Sequence, residues 1–86
     1  QSCIAAKRFI VHKDIKEMFI NNIINILNNM ILDDPSNSKT QIGPLARQDI
    51  LNDLEYQIND ALNKGAKLRY KMKNIPNKGY FFSPSI

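Results

Sequence analysis

Two stretches of the chain repeat their apolar residues at helical spacing. In the first stretch, apolar side chains recur at steps of three and four residues, at Ile15, Phe19, Ile23, Ile26 and Met30. Such a stripe is typical of an amphipathic helix with one buried face. Asp14 and Glu17 form a capping-box pattern at its start. We therefore predict a helix over residues 14–31, which the turn-forming run at residues 33–38 ends.

The second stretch carries its apolar side chains on one face at Ile50, Leu54, Ile58 and Leu62. A Gly43-Pro44 pair before it indicates a loop. Gly65 follows it, at the place where a helix C-terminus favours a residue in the left-handed conformation. These positions predict a helix over residues 47–64.

Three shorter segments indicate strands. Residues 67–73 alternate basic and apolar side chains, with Leu68, Tyr70 and Met72 in the apolar positions, which is the two-residue period of a strand. Residues 8–12 are rich in β-branched and aromatic side chains and predict a short buried strand. A turn at residues 74–78 precedes a last predicted strand at residues 80–82.

The order of strand, helix, loop, helix, strand, turn and strand is typical of the α/β fold class. We predict a partial three-layer domain with about three mostly parallel strands and two amphipathic helices. A parallel sheet normally has both faces covered, which two helices cannot do well. We therefore expect residues 1–86 to be part of a larger domain, and the isolated chain to expose enough apolar surface to self-associate or partly unfold.

The net charge of +4 is concentrated near the C-terminus. Residues 64–78 hold six basic and no acidic side chains, at Lys64, Lys67, Arg69, Lys71, Lys73 and Lys78. Because the charges between 67 and 73 alternate with apolar residues, we interpret them as the solvated face of a strand, where lysines also discourage edge-to-edge pairing. The alternative is a small basic module that binds nucleic acid through this segment.

The scarcity of Cys and His excludes several kinds of site. Cys3 is the single cysteine and His12 the single histidine, so we expect neither an intrachain disulfide nor a metal centre. No apolar run approaches the length of a membrane span, and no signal-peptide pattern opens the chain. We expect a cytoplasmic protein with no membrane partner.

Cys3 is the only plausible nucleophile among these residues. The thiolate is the reactive form of cysteine, and the basic residues Lys7 and Arg8 stand close to Cys3 in sequence. His12 is the candidate base. The alternatives are that Cys3 is an inert, small apolar residue and that His12 is an ordinary surface side chain.

The segment that contains Cys3, Gln1-Ser2-Cys3-Ile4-Ala5-Ala6-Lys7-Arg8-Phe9-Ile10-Val11, resembles the nucleophile segment of the NAD(P)-dependent aldehyde dehydrogenases. In that family a Gly-Gln-x-Cys motif is followed by a basic residue and a strand, and this sequence begins at the Gln of the motif. Further blocks resemble the family in its order and spacing, at Asp34-Pro35, Ile42-Gly43-Pro44-Leu45, Gly65-Ala66-Lys67 and Gly79-Tyr80-Phe81-Phe82 with Pro84. Together the blocks cover essentially the whole chain. The Ala5–Arg8 and Gly43–Arg47 runs are most similar to the succinate-semialdehyde dehydrogenase branch.

The resemblance implies that Cys3 is the catalytic nucleophile of an enzyme that oxidises an aldehyde to a carboxylate with NAD or NADP. In the family the thiolate adds to the aldehyde to give a thiohemiacetal, hydride leaves to the nicotinamide, and water hydrolyses the resulting thioester. The backbone N–H of Cys3 would supply one of the donors to the oxyanion.

Other parts of the family's machinery have no counterpart within residues 1–86. These are the second oxyanion donor, the general base, the nucleotide-binding part and the oligomerisation part. The resemblance therefore implies a partial catalytic domain with no cofactor-binding residue of its own. We expect this chain alone to bind no cofactor and to be inactive, and its expected partners are the missing parts of its parent chain or further copies of itself. The alternative is a non-catalytic scaffold piece that needs its parent chain to fold.

The sequence departs from the family pattern at three positions. Asp33 stands where the family usually has Gly before Asp-Pro, and Ser85 stands where Thr is commoner. Ala5 occupies the position of a second cysteine found in some succinate-semialdehyde enzymes, so no disulfide switch is expected there.

Overall fold

A computed structural model describes residues 3–86 and contains two α-helices among them. Helix α1 spans Lys16–Asn28 and helix α2 spans Gln48–Asn63. Both predicted helices are therefore confirmed, although α1 is shorter than its apolar stripe suggests. The Gln1-Ser2 part of the family resemblance lies outside the described residues.

Helix α1 begins without the predicted capping box. Its N-cap is Ile15, whose side chain makes no capping hydrogen bond. The backbone N–H of Ile15 donates to the carbonyl of His12 at 3.1 Å, which forms a turn just before the helix. The prediction of a start at Asp14 is wrong because Glu17 binds a distant arginine rather than the start of its own helix. The Glu17 carboxylate thus binds the Arg69 guanidinium instead of the backbone N–H at the start of its own helix.

Helix α1 also ends earlier than predicted, at Asn28. The Asn29 side chain donates to the carbonyl of Asn25 at 2.7 Å, and the N–H of Ile31 donates to the side-chain oxygen of Gln41 at 3.0 Å. Asparagine side chains compete for backbone groups in this way and weaken helix continuation.

Helix α2 has the expected C-terminus. The Gly65 backbone has a φ of +97°, its N–H donates to Leu62, and the N–H of Ala66 donates to Ala61. This left-handed termination confirms the role predicted for Gly65.

The predicted strands are not confirmed. Residues 3–86 contain two isolated β-bridges, and neither of them extends into a ladder of several pairs. Residues 8–12 form no bridge, and the side chain of Ile10 is 103% exposed and that of Phe9 63%. The prediction of a buried strand there is wrong for this chain, because no described segment pairs with it or covers its outer side.

One bridge joins the basic segment to the C-terminus in antiparallel fashion, between Lys71 and Ser85. The N–H of Met72 donates to the carbonyl of Pro84 at 2.9 Å, and that of Ile86 donates to Tyr70 at 3.0 Å. The residues that pair with the basic segment are thus 84–86, beyond the last predicted strand at 80–82, and this bridge is antiparallel, whereas the sheet as a whole is predicted to be mostly parallel. The physical reason is the connection, which turns back without a crossover helix.

The other bridge is parallel and links Leu32 to Ile42 around a compact loop. Inside it, the Asp34 carboxylate accepts bonds from the N–H and hydroxyl of Ser36 at 2.8 and 2.7 Å, and the Thr40 hydroxyl donates to the Asp34 carbonyl at 2.7 Å. The hydrogen bonds from Ser36 lower the pKa of Asp34. This confirms the prediction of a turn in residues 33–38.

The core of the described chain is very small. Leu32, at 8% exposure, is its only buried hydrophobic residue, and Ser83, at 3%, is its only buried polar one. Neither helix contains a buried residue. Large apolar side chains stand exposed instead, among them Ile4, Ile15, Met18, Ile26 and Tyr56. Among residues 3–86, no helix is long and apolar enough to cross a membrane.

Candidate functional site: the segment of Cys3

Cys3 lies in an exposed turn with Ile4, ahead of the segment that leads to α1. Its thiol is free of any disulfide and is accessible to solvent. The turn is not the first turn of a helix, so no helix N-terminus acts on the thiol here. The structure therefore supplies an available thiol on a short irregular segment.

The segment after Cys3 lies against a shallow groove of about 590 Å³. The groove is lined by three parts of the chain, which are residues 6–11, one face of α1 and the C-terminal residues 84–86. Phe9 packs against Phe19 of α1, with ring centroids 5.9 Å apart and the planes tilted by 48°. An aromatic pair in this geometry anchors the segment around Phe9 to the helix.

His12, the candidate base, is paired with Asp14 rather than standing alone. Its Nδ1 accepts a bond from the Asp14 N–H at 3.3 Å and lies 3.6 Å from the Asp14 carboxylate. Both side chains are exposed. The sequence signal for this pair is the two-residue spacing of His12 and Asp14, and it is absent from the predictions above.

A second missed pair is formed by Glu17 and Arg69. The guanidinium donates two bonds to the carboxylate, at 3.1 and 2.6 Å, in a bidentate arrangement. The bonds from Arg69 lower the pKa of Glu17, and the same carboxylate raises the pKa of Arg69. The two residues are 52 positions apart, so local sequence patterns carry no signal for the contact.

The basic segment has the two-residue period expected of it. Tyr70 and Met72 are half-buried, whereas Lys67, Arg69, Lys71 and Lys73 are exposed. Leu68 departs from the pattern, since its side chain is 46% exposed and it is not a core residue. The lysines thus occupy a solvated face, as the preferred interpretation has it.

Two of the family-like blocks meet in space. The N–H of Leu45 donates to the carbonyl of Tyr80 at 2.8 Å. Gly79, just before it, has a φ of +109°, and a Cβ at this position would stand 2.9 Å from the ring of Phe81. The Gly-Pro-Leu and Gly-Tyr-Phe-Phe blocks are therefore joined by a backbone hydrogen bond.

Residues 3–86 offer no group of three or more His, Cys, Asp or Glu side chains that would hold a metal ion. Nor do they form a glycine-rich turn between a strand and a helix, the element that cradles a dinucleotide pyrophosphate. The described residues thus lack the turn that would hold a dinucleotide pyrophosphate, and the catalytic role of Cys3 stays a prediction.

Comparison with known proteins places these features in a family. The sequence model of the aldehyde dehydrogenase family matches residues 1–86, so the chain belongs to that family. The resemblance seen in the five sequence blocks is thereby confirmed.

The relatives that this chain matches include succinate-semialdehyde dehydrogenases named as NADP(+) enzymes. One from Mycobacterium ulcerans (strain Agy99) is 36% identical over 86 residues, which are 100% of this chain and 19% of the relative. Another from Mycobacterium avium (strain 104) is 38% identical over 86 residues, or 18% of that protein. The chain thus spans about a fifth of the length of the relatives it matches.

A solved structure agrees with the sequence comparison. An aldehyde dehydrogenase from Bacillus cereus superposes with a TM-score of 0.87 and 26% identity, over 99% of this chain and 17% of the other. The chain therefore has the fold of the corresponding part of an aldehyde dehydrogenase.

Proposed function

We propose that this chain is the nucleophile-bearing part of a succinate-semialdehyde dehydrogenase, with Cys3 as the catalytic nucleophile. The observation that carries the proposal is the match to relatives of that name at 36–38% identity over the whole chain. The free, exposed thiol of Cys3, at the end of a segment anchored to α1, supports it.

The chemistry assigned to Cys3 is nucleophilic addition to an aldehyde. The thiolate sulfur forms a bond to the carbonyl carbon, and the carbonyl π electrons move to the oxygen, which becomes an oxyanion. The Cys3 backbone N–H is the donor that this chain contributes to that oxyanion. The product of the step is the alkoxide form of a thiohemiacetal on Cys3.

The later steps need groups that residues 3–86 do not provide. Nicotinamide supplies a hydride acceptor when it is bound, and a general base and second oxyanion donor complete the reaction. We assign all of these to other parts of a longer chain, so residues 1–86 form a partial catalytic domain. The substrates of that longer enzyme would be an aldehyde and NADP, by analogy with the names of the relatives.

The basic segment gives no support to the nucleic-acid alternative. Arg69 is engaged by Glu17, and the remaining lysines lie along a solvated face. No aromatic platform suited to base stacking lies among them, since Tyr70 is half-buried and its hydroxyl donates to Asn28 at 2.9 Å.

The test is Cys3→Ser in the longer enzyme that contains this chain. We expect NADP-dependent oxidation of succinate semialdehyde to be abolished and NADP binding, measured by fluorescence titration, to be unchanged. The unsubstituted 86-residue chain should form no NADPH under the same conditions. Full activity in the Cys3→Ser enzyme, or NADPH formation by the isolated chain, would overturn the proposal.

A further inference from the structure

Helix α1 is attached at both ends to the paired segments at the C-terminus. Glu17, in its first turn, accepts the two bonds from Arg69, and Asn28, its last residue, accepts a bond from the Tyr70 hydroxyl at 2.9 Å. The backbone N–H groups of Arg69 and Tyr70 both donate to the carbonyl of Ile86, at 2.7 and 3.2 Å. The position of α1 is thus tied to the pairing of residues 69–72 with 84–86.

The nucleophile segment depends on the same helix. Phe9 of this segment packs against Phe19 of α1. The hydrogen bond from the Ile15 N–H to the His12 carbonyl fixes the turn that connects the segment to the helix. Residues 84–86 line the same groove as residues 6–11. The segment of Phe9 therefore contacts α1, and the pair Glu17–Arg69 in turn joins α1 to the C-terminal pairing.

We propose that Glu17 and Arg69 are positioning residues for the Cys3 thiol, an inference that rests on the proposed function of Cys3. Their bidentate bond holds the first turn of α1 against the C-terminal pairing and so sets where the segment of residues 3–11 lies. Neither residue touches the substrate or the cofactor in this assignment. They act through the helix and the Phe9–Phe19 contact.

The expected effect falls on the rate of reaction rather than on the fold. Both side chains are largely exposed, at 57% for Glu17 and 40% for Arg69, and exposed ion pairs contribute little to stability. Reaction rate is far more sensitive to geometry, since a displacement of about 1 Å from a remote change can reduce it about a hundredfold. Loss of the pair should lower kcat while KM and cofactor affinity stay nearly constant.

The experiment uses the longer enzyme that contains this chain, with Glu17→Gln and Arg69→Gln. Each variant should lower kcat about threefold to tenfold and leave KM for the aldehyde and the Kd for NADP within about twofold. The double variant should lose no more than either single one, because both remove the same interaction. Exchanging the charges, Glu17→Arg with Arg69→Glu, should restore at least half of kcat.

The chain offers a matched control in Arg47 and Asp49. This pair is also bidentate, at 2.9 and 2.9 Å, and also exposed, at 69% and 62%, but it lies entirely at the start of α2. Asp49→Asn should therefore leave kcat unchanged. An unchanged kcat in Glu17→Gln and Arg69→Gln, additive losses in the double variant, or an equal loss in Asp49→Asn would each overturn the inference.

The inference and the function on which it rests fail in different ways. If Cys3→Ser retains activity, the proposed function is wrong. If Cys3→Ser is inactive while Glu17→Gln keeps the full kcat, the function stands and only the positioning role is wrong.

Discussion

At Gly65 and Gly79 the backbone has positive φ values of +97° and +109°, which side chains disfavour. The surroundings of the two glycines differ. A Cβ on Gly65 would meet nothing within 4 Å, whereas one on Gly79 would stand 2.9 and 3.2 Å from two ring atoms of Phe81. Gly65 therefore supplies only conformational freedom, and Gly79 supplies both that freedom and space for an aromatic ring.

This difference predicts unequal costs for the same substitution. Gly65→Ala should lower the free energy of unfolding by about 1 kcal/mol, the cost of a left-handed L-residue. Gly79→Ala should lower it by about 2–4 kcal/mol, because displacing the Phe81 ring adds to that cost. Denaturant titrations of the two variants and the parent chain at one protein concentration measure the difference. Equal losses would show that the Phe81 contact contributes nothing.

At the scale of elements, the pairing of residues 69–72 with 84–86 organises the C-terminal half. Ser83 is the only buried polar residue of the described chain. Its hydroxyl donates to the carbonyl of Met72 at 2.6 Å. Ser85 donates in turn to the Ser83 carbonyl at 2.8 Å. These bonds place Tyr70 and Met72 on the inner side and the lysines on the outer side.

The arrangement predicts how the basic segment responds to substitution. Replacing Lys71 and Lys73 by Gln should change the free energy of unfolding by less than about 0.5 kcal/mol, since both side chains are solvated. Leu68→Ala should cost about 1–2 kcal/mol, less than a core leucine would, because Leu68 is 46% exposed. Urea titrations measure both, and a lysine effect as large as that of Leu68→Ala would contradict the two-sided assignment.

At the scale of the whole molecule, the chain has more apolar surface than it can bury. The two helices contain no buried residue, and residues such as Ile10, Phe9 and Met18 face solvent. Large apolar side chains exposed at several places in the chain indicate a surface that another part of a protein covers. In the proposed enzyme, other parts of the catalytic domain would cover it.

The isolated 86-residue chain should therefore self-associate at micromolar concentration and bind a hydrophobic dye such as ANS. Ile10→Asn and Met18→Gln together should reduce both the dye fluorescence and the apparent mass in analytical ultracentrifugation. Substituting Lys39 by Gln, on the exposed loop, is the control and should change neither. A chain that stays monomeric at this concentration and binds no dye would contradict this view of the surface.

Residues close together in sequence were enough to predict the helices and the turns and to recognise the family. The apolar stripe of α1, the glycine after α2 and the Asp34 turn each depend on residues close together in sequence, so the pattern of Ile50, Leu54 and Ile58 was sufficient to predict α2. Cys3 became a candidate for the same reason, because its neighbours carry the family motif. Its catalytic role stays a prediction.

Long-range contacts decided what the sequence could not. The ion pair of Glu17 with Arg69 overrode the capping box of α1, and the back-turning connection made the pairing of Lys71 with Ser85 antiparallel. The segment at residues 8–12 shows the same limit, since an apolar sequence becomes a buried strand only where neighbouring strands pair with it and cover it. Neighbours in space, rather than in sequence, determine strand pairing and burial, and those neighbours are set only by the tertiary structure.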